Sequence, residues 1–240
     1  MGEVVPLYGY KDSEKESGLE KSVRQYSRMA GIYETEDGLP GLRTDDLPLD
    51  SYSLERKLDE EGVDASTREA TLRNAAAIGY LDRIAGTAML TGDYQRLQGH
   101  LARRYGNVPE YRVRAAHPDE DAVAFTDGTS LGVSEDVEDK VRELSRQTGM
   151  SRYAAGLYTL VHETTHMAQS DEDRRDVKGA EMDVERTAYG FFLGLAQDAY
   201  MEGDVGRALD YATAARYAAA RHEMVGNDEI PAYTEQRDAA

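Results

Sequence analysis

The chain has 240 residues, no cysteine, and 46 acidic against 28 basic side chains, giving a net charge of -18 and a pI near 4.7. So acidic a surface repels a phosphate backbone over most of its area, and nucleic acid is not expected as a partner. The missing cysteines exclude a disulfide scaffold and any thiolate metal site.

Residues 1–15 hold no apolar core of signal-peptide length, and no later window approaches about 18 consecutive apolar residues. A cytoplasmic chain with no membrane partner is expected. Residues 1–53 read as a polar appendage, helical over 13–34, followed by a linker at 35–53 marked by Gly38, Pro40, Gly41 and Pro48. Residues 54–105 read as a helical block broken at Gly62 and at Gly92-Asp93, so that 66–90 and 94–104 would pair as a hairpin.

The character changes over residues 106–201. Tyr111-Arg112-Val113-Arg114-Ala115 alternates apolar with charged residues, Ala122 to Phe125 is a short apolar run, and Asp127-Gly128 separates it from Ser130-Leu131-Gly132-Val133. This pattern predicts a small antiparallel sheet with one hairpin. Val137, Val141 and Leu144 then recur at helical spacing until Gly149, and Ser151 can cap a helix running to about Gln169. An acidic loop at 170–176 leads to a helix over about 179–201. In the C-terminal segment, 202–240, Gly203-Asp204 interrupts the pattern and an Ala-rich helix follows over 205–224. Residues 196–218 are similar to one tetratricopeptide hairpin, but a solenoid needs about three stacked repeats, so these helices are read as packing on the core.

The chemistry concentrates in His162-Glu163-Thr164-Thr165-His166. Residues four apart on a helix sit nearly one above the other, so both imidazoles can reach one Zn²⁺. Glu163 is turned by about 100° from His162, which keeps it off the metal yet near the water of an open coordination position. A carboxylate there can take a proton from that water and pass it to a leaving amine.

The run 162–169, with Glu181-Met182-Asp183-Val184-Glu185-Arg186-Thr187-Ala188 downstream, resembles the short gluzincin metallopeptidases. The resemblance covers about residues 111–192. It implies an α+β fold: a zincin-like core of a small antiparallel sheet packed on the active-site helix, with additional helical hairpins. It also implies a zinc metallopeptidase acting on a peptide or protein substrate, with a Glu of the next helix as third ligand.

Glu181 and Glu185 lie four apart on one face, and spacing alone permits either to reach the metal. The order in the short gluzincins, a ligand Glu, then an acid four later, then a small residue three further on, is matched by Glu181, Glu185 and Ala188. The resemblance thus implies Glu181 as the ligand, with Glu185 the alternative. The metzincin continuation would need Gly and a ligand where this chain has Gln169 and Glu172.

His222 and Tyr189 are candidates to stabilise an oxyanion, although a surface His on a polar helix and a packed Tyr are the blander readings. His100 and His117 lack partners at ligand spacing, and Asp171-Glu172-Asp173 reads as a solvated loop. The alternative to an enzyme is a zincin-fold binding or regulatory module with a structural metal, its helical additions contacting a protein partner. Glu163 favours the enzyme, because a structural site needs no base there.

The charge of -18 also has a direct thermodynamic consequence. Screening relieves self-repulsion, so the melting temperature should rise as ionic strength goes from roughly 0.1 to 1 M, where the Debye length falls from about 10 to 3 Å. Melts followed by circular dichroism across that range check this, and a flat or falling trend would count against it.

Overall fold

The computed structural model describes residues 59, 65–106, 108–109, 113–115, 124–126, 131–170 and 172–229. The expected appendage over 1–53, the turn at Asp127-Gly128, and the tail beyond 229 lie outside the described residues. The chain divides into two compact units, Met1–Gly92 with Glu110–Glu138, and Asp93–Pro109 with Asp139–Ala240.

In the first unit, helix α1, Ala65–Thr91, whose Leu81, Ala85 and Ala88 are buried, packs against two of three short strands. The three are β1, Val113–Ala115, β2, Ala124–Thr126, and β3, Leu131–Val133, in the order β1-β3-β2. β2 and β3 pair antiparallel, with Ala124 opposite Val133, whereas β1 pairs parallel to β3, with Val113 opposite Leu131.

The described residues are mostly helical, and this overturns the α+β expectation of a zincin-like sheet packed on the active-site helix. Each strand is three residues long and the sheet belongs to the first unit, where it lies on α1. The physical reason is one of scale: such strands close few ladder hydrogen bonds and offer little apolar face. The Ala-, Leu-, Glu- and Arg-rich segments prefer helix and bury far more surface.

The remaining helices are α2, Asp93–Tyr105, α3, Val137–Thr148, α4, Arg152–Ala168, α5, Val177–Met201, and α6, Val205–Gly226. Helix α2 presents Tyr94, Leu97 and Leu101 along one buried stripe and packs on α4 and α5. Gly149, at φ 79°, ends α3 in a left-handed conformation that costs glycine little. Ser151 then starts α4, its hydroxyl accepting from the Ala154 N–H and donating to Asp210 of α6. Nearly every residue of α4 is buried, which makes it the central helix of its unit. Helices α5 and α6 pack along their lengths, joined through Gly203 at φ 81° and Asp204, which caps α6. No helix among the described residues is long and apolar enough to cross a membrane.

Asp93 ties this unit together. It is only 1% exposed and accepts hydrogen bonds from Tyr153 of α4, at 2.9 Å, and from the buried Tyr211 of α6. Burial, then the neighbouring Asp93 carboxylate, pushes the Tyr211 hydroxyl well above the usual phenol range, so it stays a donor. Asp93→Ala should therefore cost about 2–3 kcal/mol, since it strands a buried hydroxyl and removes charge-assisted bonds. At 2–4 °C per kcal/mol for a chain of this size, Tm should fall by roughly 5–10 °C. Asp93→Asn, which keeps one acceptor oxygen, should lose about half as much. Equal melting curves for parent and Asp93→Ala would remove Asp93 from this role.

Candidate metal centre

Three helices each contribute side chains at four-residue spacing, and these stripes face one another. On α4 they are Tyr158, His162 and His166, on α5 Glu181 and Glu185, and on α6 Tyr217 and Arg221. The pairing runs antiparallel between α4 and α5. His166 Nε2 lies 3.2 Å from Glu181 Oε1, and His162 Nε2 lies 3.6 Å from Glu181 Oε2. The Glu181 carboxylate thus spans the two imidazoles, whose ring centroids are 5.0 Å apart.

One turn further along α5, Glu185 meets the other side of the first imidazole, its Oε1 3.4 Å from His162 Nδ1. That contact is within ion-pair range but does not satisfy hydrogen-bond geometry, and His162 Nδ1 has no hydrogen-bond partner. Glu185 is fully buried and accepts instead from the Tyr158 hydroxyl, at 2.6 and 2.7 Å, and from Arg221 Nε, at 2.9 Å. Tyr158 also packs edge-on against Tyr217, with centroids 5.0 Å apart, and stacks on Phe192.

Glu163, Glu181 and Glu185 are all buried, and their charges and those of the imidazoles act on one another. Burial alone would lower the His162 imidazole, but the carboxylates of Glu185, Glu181 and Glu163 reverse this and raise it to about 9. Burial would raise Glu181, and the His166 contact with both imidazole charges and Arg221 pulls it down to about 2. Burial likewise opposes ionisation of Glu185, yet His162, Arg221 and Tyr158 hold it below the usual carboxylate range. Glu163 goes the other way. Burial dominates, the two imidazoles lower it, and the neighbouring carboxylates add to the rise, leaving it at about 7.

The donor set fits a zinc ion. The ligand atoms of His162, His166 and Glu181 lie within 4.8 Å of one another, and among the described residues they form the one such group of His, Cys, Asp or Glu. Tetrahedral zinc at about 2.0–2.1 Å from each ligand sets neighbouring ligand atoms about 3.4 Å apart. The imidazoles lie 3.2 and 3.6 Å from different oxygens of the Glu181 carboxylate, both near that value. Glu181 Oε2 is buried without a hydrogen-bond partner, an orphan acceptor that a cation would satisfy.

The sequence-derived residues His162, His166, Glu181 and Glu163 therefore come together, with Glu185 on the far side of His162 from the three ligand atoms. His100 stands apart, packed on Phe191 at 6.1 Å. His117 and Asp171 lie outside the described residues. Asp173 is used locally, accepting from the Ser170 N–H and hydroxyl. Tyr189 is 40% exposed, and His222 keeps a buried Nε2 with no hydrogen-bond partner. Sequence reading missed Tyr158, Arg221 and Tyr217. Tyr158 carried a usable signal, four residues before His162 on the same face. Arg221 carried none in linear sequence, because it is brought in by the packing of a distant helix. In comparisons with protein-family models, curated proteins and solved structures, no match to the chain was found.

This geometry separates the two carboxylates experimentally. Glu181→Gln should weaken zinc binding far more than Glu185→Gln, whose loss of a supporting contact should cost roughly 10- to 100-fold. Titration with a competing zinc indicator reads both, and a reversed order would make Glu185 the ligand.

Proposed function

We propose that the protein is a zinc-dependent peptidase that hydrolyses amide bonds with Glu163 as general base. The observation that carries this reading is the convergence of two imidazoles and one carboxylate on a single point, beside a buried carboxyl that takes no part in it. His162, His166 and Glu181 would hold the ion. When bound, zinc polarises a carbonyl oxygen and makes water a stronger acid.

The rest falls to the chain. Glu163 sits one residue from a ligand, buried, with its pKa raised to about 7, so near neutral pH it can both take up and release a proton. Its task is to accept a proton from the attacking water and deliver it to the departing amine. Glu185 stands behind His162, and Tyr158 and Arg221 hold Glu185 in place and offset its negative charge. The likeness to the short gluzincins supports a peptide substrate and is confined to the motif and its two downstream acids, since the fold is mostly helical. A metal that only held the helices together would call for no buried carboxyl at 163.

Glu163→Gln tests the assignment because the amide fills the same space and accepts no proton. Zinc content and Tm should stay near those of the parent, while turnover of a mixed peptide library should fall by about 10²- to 10⁴-fold. Turnover near the parental rate in that variant, or a zinc-loaded parent that cleaves nothing, would overturn the peptidase reading.

A further inference from the structure

We propose that Gln169 is the positioning residue for His166: its side-chain amide keeps the imidazole proton on Nδ1 and so leaves the Nε2 lone pair for a metal ion shared with Glu181. The proposal rests on the reading of His162, His166 and Glu181 as ligands.

Gln169 is the first residue past α4. Its backbone N–H still donates to the Thr165 carbonyl at 3.2 Å, but its own φ of -67° and ψ of 145° take the chain out of the helix. The side chain turns inward and only 3% of the residue is exposed, so both ends of the amide need partners. Nε2 donates to the Ala180 carbonyl at 3.0 Å and lies 3.4 Å from Asp183 Oδ2. Those two oxygens can only accept, so the amide nitrogen must be the end that faces them. A flipped amide would set three oxygens against one another.

With the amide thus oriented, Oε1 is the atom 3.0 Å from His166 Nδ1. Oε1 cannot donate, so Nδ1 must carry a proton. In the neutral ring this leaves the lone pair on Nε2, which is the atom that faces Glu181 at 3.2 Å. The orienting amide is itself held. Asp183 receives the Tyr105 hydroxyl at 2.6 Å and is paired with Arg104, both of α2, while Tyr105 also meets Thr187 at 2.8 Å. A polar residue serving only to satisfy the Ala180 carbonyl would have no need to place its oxygen on the ring.

The test uses full-length protein and zinc alone, with His162→Ala as reference. Gln169→Met keeps the length of the side chain and removes the acceptor, and should weaken zinc binding roughly 10- to 100-fold. Because Met also leaves the Ala180 carbonyl without its donor, a measurement on the parent accompanies the variant. Long-range proton–nitrogen spectra of the zinc-loaded parent should show the His166 proton on Nδ1, exchanging slowly with solvent, and in Gln169→Met that exchange should speed up. Zinc affinity in Gln169→Met within twofold of the parent, or a parent His166 bearing its proton on Nε2, would overturn the proposal. If instead His162→Ala binds zinc as the parent does, the ligand assignment itself fails and Gln169 loses its role with it.

Discussion

The carboxylates of Glu163, Glu181 and Glu185 are buried on the facing helices α4 and α5, and most of the second unit is arranged around making that tolerable. An ionised carboxylate taken out of water costs several kcal/mol unless charge and hydrogen bonds replace the solvent. The replacement comes from three matched stripes. Tyr158, His162 and His166 of α4 run opposite Phe192, Glu185 and Glu181 of α5, and α6 closes the gap with Tyr217 and Arg221. A shift of one residue in any helix would turn its stripe by about 100° and leave the charges unpaired.

That register is in turn fixed at the helix ends. Asp93 at the start of α2 collects hydroxyls from α4 and α6, and Asp210 of α6 accepts from the first residue before α4. Gly203 lets α6 return along α5 within three residues. These contacts lie at the helix ends, away from the imidazoles. A cation bound by His162, His166 and Glu181 would draw on the same register, so its binding energy would add to the stability of the packed helices.

Much of the site was legible in the sequence because it obeys a helical period. The spacing of His162 and His166 places both rings on one face, and the order Glu181, Glu185, Ala188 placed the first acid between the rings and the second behind one of them. Arg221 and Tyr217 were not legible. Buried acids imply a buried cation, but the sequence holds many arginines and only packing selects one. Of the fold, the caps at Ser151 and Gly149 were readable, and the residues of β1, β2 and β3 fall inside segments that alternate or run apolar. Their weight was not readable. Alternation over a few residues says nothing about how far a ladder extends, or that β1 would run parallel to β3, because pairing direction depends on chain reversal outside the strand.

The two imidazoles are backed by different chemistry. His162 Nδ1 faces an anionic carboxylate that is tied to a tyrosine and a guanidinium. His166 Nδ1 faces a neutral amide oxygen. The carboxylate beside His162 Nδ1 supports positive charge on that ring, whereas the hydrogen bond to Gln169 fixes the orientation of His166. Glu181 bridges the pair and lies closer to the second, at 3.2 against 3.6 Å. Glu163, next to His162 in sequence, is left as the carboxyl whose burial is least compensated, and burial raises it to about 7.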